Sequence, residues 1–250
     1  MQQVLDTGIR KNQWMRRASG LYAPPVRNFP LQGCVLYLPL WHPDFKSTPI
    51  TAWDIANETV HSCAVTGATW GYQGRTFDGI DNKIVIPDSA SLNITATITL
   101  LVWVRVDTWA WKHAFANGYV FDKGSNASKG YALYGSDTNE TFNFQFYDGG
   151  VSKVQASANN IIAAGVWGLI GGHYDGSSYW VSLNGVQSGS AGGYVGDIDT
   201  SAGTDLSIGE ETTGGTRQFW GDIGEAWVYN RVLSLAEIQQ IYNATKWRYQ

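Results

Sequence analysis

Apolar residues in this chain alternate with polar ones over short stretches, and Gly, Asn and Asp clusters interrupt the alternation. From Gly33 onward the segments CVLYLPL, KIVIP, TITLLVWVRV, YVFDKG, YALYG, TFNFQFYD, VWGLIGGHYDG, SYWVSLNG, DLSIG and FWGDIGEAWVY each read as a strand bounded by turn residues. In ITLLVWVRV, Ile98, Leu100, Val102, Val104 and Val106 share one face, and Thr99, Leu101, Trp103 and Arg105 the other. In FNFQFY, Phe142, Phe144 and Phe146 point one way, and Asn143, Gln145 and Tyr147 the opposite way. Short strands with no interleaved helix predict an all-β fold of two packed antiparallel sheets, a sandwich or jelly roll. Only the end differs. SLAEIQQIYNATKW starts with Ser234 and has Glu237 three residues later, a capping box, with Leu235, Ile238, Ile241 and Tyr242 at helical spacing. A short helix is expected to cap the sandwich.

The first 32 residues lack this pattern. APPVRNFP holds three prolines in eight residues, which keeps a chain extended, so residues 1–32 read as an arm and residues 33–250 as the sandwich. At 250 residues, 44% hydrophobic and 15% charged, the chain fits one large all-β domain with an appendage. The net charge of −4 divides unevenly. Arg10, Lys11, Arg16, Arg17 and Arg27 oppose only Asp6 in the arm, giving +4 and leaving −8 on the rest. A basic arm on an acidic body is suited to docking on another copy, a particle scaffold or another acidic surface. Nucleic acid is not the expected partner. The alternative for the arm is a solvated leader.

No stretch approaches the roughly 20 apolar residues of a membrane span, and MQQVLDTGIRKNQWMRR lacks the apolar core of a signal peptide. Synthesis in the cytoplasm without membrane insertion is the expectation. Cys34 shares strand parity with Leu36, Leu38 and Leu40, which places it toward the core. A Cys34–Cys63 disulfide would require maturation outside the cell; buried thiols are expected instead.

In order along the chain, GCVLYLPL, VTGATWGYQGRTFDGIDNKIVIPDSASLN, TITLLVWVRV, VWGLIGGHYDGSSYWVSLNG, DLSIG and GDIGEAWVYNRVLSLAEIQQIY resemble laminin G-like domains of the concanavalin A-like superfamily, over about Gly33 to Lys246. The resemblance implies a jelly roll of two antiparallel sheets, one of them concave, with carbohydrate or protein-surface binding as its general use. In that family the last strand resembles G-x-I-D-E-V-x-I-Y-N-R-x-L-S. Gly221, Ile223, Glu225, Tyr229, Asn230, Arg231, Leu233 and Ser234 match it, and Gly224 stands where the family often has Asp. A structural role is expected for this pattern: a buried guanidinium at Arg231 needs a carboxylate partner, with Glu225 or Asp222 as candidates.

The enzymes of this fold that cleave β-glucans carry a strand resembling E-x-D-x-x-E, which sets acid and nucleophile on one strand face. None of the six glutamates here has Asp two residues later. His42, His61, His113 and His173 are isolated, without H-E-x-x-H or zinc spacing, and no phosphate-loop or dinucleotide motif occurs. The chain is therefore read as a non-enzyme. Calcium is the one cofactor the resemblance implies, with Asp78 and Asp81 in FDGIDN as hard oxygen ligands and Glu225 as an acidic partner near the last strand. The competing reading makes Asp78-Gly79 a turn stabilised by the Asp side chain. For glycans the need is an aromatic platform beside side-chain amides, since sugars present C–H faces and hydroxyl edges. Trp180, Tyr147, Asn143 and Gln145 have the outward parity and are the candidates, provided their strands adjoin.

Two functional classes follow. One is a structural or adhesive component of an assembled particle, such as a bacteriophage-like virion surface or decoration protein, incorporated through its arm and exposing a domain that binds glycans or neighbouring subunits. The alternative is a free carbohydrate-binding lectin module of a secreted protein.

Overall fold

The computed structural model describes residues 29–110, 117–212 and 216–250. Arg10, Lys11, Arg16 and Arg17 of the arm lie outside the described residues, as does His113. The strands are, in order, β1 (Cys34–Pro39), β2 (Ile50–Asp54), β3 (Thr59–Thr66), β4 (Thr69–Gly71), β5 (Gly74–Asp78), β6 (Lys83–Ile86), β7 (Ile98–Val106) and β8 (Asn117–Lys123). They continue as β9 (Tyr131–Ser136), β10 (Thr141–Asp148), β11 (Val151–Ala156), β12 (Trp167–Tyr174), β13 (Ser178–Leu183), β14 (Val186–Gly193), β15 (Leu206–Ile208) and β16 (Trp220–Tyr229). One α-helix, α1 (Leu235–Thr245), follows.

Two antiparallel sheets result, as expected. The first runs β3-β2-β1-β16-β7-β12-β13-β14 and the second β11-β10-β9-β8-β15-β6-β3. They share β3, whose Thr59–Cys63 part pairs with β2 and whose Ala64–Thr66 part pairs with β6. A strand that passes between sheets makes a corner, so the sandwich is closed along one side and approaches a barrel. Phe142, Phe144 and Phe146 of β10 are fully buried against the first sheet. Phe146 stacks on Tyr174 at 4.5 Å and meets Tyr179 edge-on at 5.4 Å. The approach is close enough that a Cβ on Gly172 would lie 2.5 Å from the Phe144 ring. Cys34 and Cys63 are free and buried, and burial pushes the Cys63 thiol up to about 12.

Both faces of β7 are covered: eight of its nine residues are buried. The reason is α1. Trp103 on the outer face of β7 stacks on Tyr249 at 4.4 Å and Tyr242 at 5.7 Å, and its indole N–H donates to Thr245 Oγ1 at 2.8 Å. The capping box forms as expected: Ser234 Oγ accepts from the Glu237 N–H, and Glu237 Oε2 from the Ser234 N–H at 2.9 Å.

The Glu225–Arg231 pair does not form. Arg231 lies beyond the end of β16 and is partly exposed, and the first turn of α1 brings Glu237 to it at 2.6 and 3.1 Å. This pairing holds the Glu237 carboxyl down at about 2. Asp222, the other candidate, pairs with Arg105 at 2.7 Å. Glu225 lies inside the strand, 1% exposed, and accepts from Tyr37 Oη at 2.9 Å and Arg248 Nη1 at 2.6 Å. Its role is structural, but it ties down the C-terminal segment rather than the strand-to-helix corner.

Candidate recognition surface

The outer face of the second sheet is assembled by register. Asn143 of β10 is opposite Tyr134 of β9, which is opposite Tyr119 of β8. In the next row Gln145, Ala132, Asp122, Ser207 and Val85 lie side by side across β10, β9, β8, β15 and β6. Their neighbours in sequence, Phe144, Leu133, Phe121, Ile208 and Ile84, are all fully buried in the core. Alternation therefore directs the rows outward. Tyr119 and Tyr134 stack at 4.9 Å with 23° between their planes. Tyr134 and Tyr147 are half-buried, and burial raises the Tyr134 phenol to about 12. Gln145 donates to Tyr147 Oη at 2.9 Å and to Ser152 Oγ at 2.8 Å, while Asn143 donates to Thr141 Oγ1 at 3.4 Å.

One wall rises from the chain after β15. Gly209 N–H donates to Val120 C=O, Phe219 N–H to Gly209 C=O and Tyr119 N–H to Arg217 C=O, so residues 209–212 and 216–219 of this segment lie beside β8. Within the segment, Arg217 pairs with the buried Glu211. Glu210, also buried, accepts from Lys83 Nζ at 2.9 and 3.2 Å. Beneath the wall is Asp122, whose carboxylate accepts from the Thr212 N–H at 2.6 Å and the Ser125 N–H at 3.1 Å. Burial outweighs these bonds and pushes its carboxyl up to about 6. The wall and β6 enclose a cavity of about 320 Å³ lined by Lys83, Asp205, Ser207, Glu210, Glu211 and Thr212, among others. A larger cavity of about 570 Å³ opens between Asp54, Asn57 and the 89–97 segment, and no aromatic side chain lines either cavity.

Of the four glycan candidates, Tyr147, Asn143 and Gln145 share this face and Trp180 does not. Trp180 is on β13 of the first sheet, stacked on His173 at 5.2 Å. Because β10 and β13 belong to different sheets, their outward side chains emerge on opposite sides of the sandwich. The two amides and Tyr119 are nearly buried, which leaves Tyr134 and Tyr147 as the partly exposed part. Tyr119, Tyr134, Asp122, Ser207, Glu211 and Arg217 were not identifiable from periodicity, since only strand order and register bring them together.

The calcium set also separates. Asp78 pairs with Trp220 at the start of β16, and Glu225 is five residues further along that strand, roughly 16 Å away at about 3.3 Å per residue. Tyr37 and Arg248 already occupy its carboxylate. Asp78 Oδ1 accepts from the Ile80 N–H at 2.9 Å, the bond of an Asp-stabilised turn. Among the described residues no group of three or more His, Cys, Asp or Glu is placed to hold a metal ion. Among those same residues no helix is long and apolar enough to cross a membrane.

A family model for laminin G domains, described as the concanavalin A-like lectin/glucanases superfamily, matches residues 78–239. A search of curated proteins finds no match. Among solved structures, a Trypanosoma rangeli sialidase in complex with 2,3-difluorosialic acid superposes with a TM-score of 0.63 at 13% identity, covering 98% of this chain and 40% of the sialidase. The binding domain of Paraclostridial mosquitocidal protein 1 gives 0.63 at 15% identity, covering 85% of this chain and 52% of that one. The botulinum neurotoxin serotype D binding domain gives 0.62 at 11%, with 88% and 53% covered. At these identities the likeness is one of fold, and the chain spans about half or less of each of these structures.

Proposed function

This chain belongs to the concanavalin A-like lectin/glucanases superfamily, and from that premise we propose that the outer face of its second sheet binds carbohydrate without cleaving it. The observation that carries this reading is the pair of partly exposed tyrosines, Tyr134 and Tyr147, with Tyr134 backed by the buried Tyr119 and set beside the Arg217–Glu211 pair on one sheet face. Aromatic faces accept the C–H side of a sugar ring, and ionised donors and acceptors meet its hydroxyl edge. That two of the similar structures are toxin binding domains agrees with a recognition role. The non-catalytic part rests on the carboxylates: Glu210 and Glu211 are each held by a cation, and Asp122 by backbone N–H groups. None is paired as a free acid and nucleophile.

Tyr147→Ala is expected to weaken binding to a glycan selected from an array by about tenfold, roughly 1.4 kcal/mol. Trp180→Ala, on the opposite side, leaves the affinity unchanged. Isothermal titration of both variants checks this, and the reverse ranking would move the site to the first sheet.

The charge division supports a second, finer reading: the protein is an adhesive or structural component of an assembled particle, such as a bacteriophage-like virion, docked through its +4 arm onto another copy or an acidic scaffold. It would be made in the cytoplasm and end on the particle surface. Sedimentation velocity should then show defined oligomers for the full chain and monomers for residues 33–250. Identical monomers for both would remove self-assembly through the arm and favour the free lectin module.

A further inference from the structure

We propose that the chain carries a second carbohydrate site, for a neutral sugar, on the outer face of the first sheet, where Asp222, Arg105 and Trp167 floor a cavity of about 490 Å³. This goes beyond the reading above, because the site uses other residues on the opposite side of the sandwich from Tyr134 and Tyr147.

Register assembles the floor. Asp222 of β16 is opposite Arg105 of β7, which is opposite Trp167 of β12, so three side chains lie in one row across three strands. Val104, Val106 and Ile223, their neighbours in sequence, are fully buried in the core, and alternation therefore turns the row outward. Trp167 is partly exposed and supplies the aromatic surface that the other two cavities lack. Its ring is held from two sides: Tyr249 packs on it at 4.8 Å, and its indole N–H donates to Gln73 Oε1 at 3.3 Å. Gln73 Nε2 in turn donates to the Arg248 C=O at 2.6 Å, which ties the β4–β5 turn to the C-terminal segment. That segment is itself fixed by Glu225, whose N–H donates to Tyr249 Oη at 2.9 Å and whose carboxylate accepts from Arg248. The cavity is thus preformed, and a ligand entering it orders little that is not already ordered.

The donors name the ligand. Arg105 Nε donates to Asp222 Oδ2 at 2.7 Å, and Nη2 lies 3.3 Å from Asp107 Oδ1. Nη1 makes no hydrogen bond among the described residues, and the side chain is 34% exposed, so one edge of the guanidinium is open at the cavity floor. A charged donor beside an indole face meets the hydroxyl edge and the C–H face of a sugar ring at once. One cation against two carboxylates leaves this network at a formal −1, so a carboxylated or sulfated sugar would be brought against like charge. Trp180 is not part of the site: Trp167 and His173, on which Trp180 stacks, lie six residues apart on β12, roughly 20 Å at about 3.3 Å per residue.

The test separates the two faces. The full chain and its Tyr134→Ala, Tyr147→Ala variant are probed on an array of neutral oligosaccharides and carboxylated analogues of the same length, then titrated with the neutral oligosaccharide that the variant binds most tightly. The variant should still bind neutral sugars, and acidic analogues more weakly. In that background Trp167→Leu, which keeps apolar bulk under Tyr249 but loses the indole face, should weaken binding by about tenfold. Arg105→Lys, which keeps a cation beside Asp222 but removes the open guanidinium edge, should also weaken it. The indole N–H signal missing from the NMR spectrum of Trp167→Leu should shift as the oligosaccharide is added to wild type and to the tyrosine variant alike, a readout that a merely structural Trp167 would not give. An unmoved Trp167 signal, a preference for acidic glycans in the tyrosine variant, or loss of all binding in that variant while wild type binds would overturn the second site and leave the tyrosine face standing. A Trp167 shift together with unchanged wild-type binding in the tyrosine variant would uphold this site and remove the other. Failure of wild type to bind any glycan on the array would remove both.

Discussion

Replacing Arg248 with methionine lowers the free energy of unfolding by about 3–5 kcal/mol, the usual cost of leaving one member of a buried ion pair alone. Glu225 is almost wholly enclosed, and burial raises its pKa while Arg248 is the strongest influence holding it down. Tyr37 and Tyr249 supply hydroxyls at 2.9 and 3.5 Å, but neither carries a compensating charge. Methionine keeps an apolar side chain beside Trp41, over which the guanidinium now lies at 4.1 Å. The loss is therefore chiefly electrostatic. For a chain of this size it corresponds to a fall in melting temperature on the order of 10 °C. The sign with pH follows from the raised carboxyl: a group whose folded pKa exceeds its unfolded value stabilises below the unfolded pKa and loses that contribution as pH rises through the folded one. The Arg248→Met deficit should thus shrink on acidification. Adding Glu225→Gln to Arg248→Met should recover much of the loss. A single-variant cost under about 1 kcal/mol, the range of exposed salt bridges, would show that the pair does not clamp the C-terminal segment.

Acid weakens the fold through His173. Its ring is buried on the outer side of β12, stacked on Trp180, with Nε2 within 2.8 Å of Ser182 Oγ. No carboxylate accompanies it, and burial pushes its pKa down to about 3. An imidazole with a depressed folded pKa stabilises fully above its unfolded value near 6.5, and this contribution disappears as pH falls toward 3. The difference amounts to about 5 kcal/mol across that window. Asp122 acts in the opposite direction: its carboxyl, raised to about 6, favours the fold below about 4 and loses that contribution as pH rises through 6. Urea denaturation from pH 4 to 8 of wild type and His173→Gln separates the two, because Asp122 is common to both. The difference in stability between the proteins should grow with pH up to about 6.5 and then level off. A constant difference would mean that His173 titrates alike in the folded and unfolded states.

The strand pattern, the capping box and the family resemblance were readable because each depends on residues near one another in the chain. Alternation in TFNFQFYD identifies which side chains of β10 share a face, and Ser234 with Glu237 marks the start of α1. Charged partners were less accessible. Arg231 and Glu225 lie six positions apart, yet a strand extends away from its own residues, while the helix that follows folds back and delivers Glu237. Arg248 reaches Glu225 only because the chain after α1 returns across the first sheet.

The amino-acid sequence by itself determined the class of fold, the helix at its end and the inward or outward parity of most strand residues, since these follow from local periodicity and capping chemistry. It also determined that catalytic motifs of the β-glucan type are missing. The tertiary structure alone decided which outward residues meet. Strand order and register are set by contacts distant in sequence, so Tyr134, Asp122, Ser207 and Arg217 become neighbours of Tyr147 and Gln145 only when β15 and the returning 216–219 segment pack beside β8. The same assembly put Trp180 on the opposite side, because a strand's face is a local property and its sheet is not.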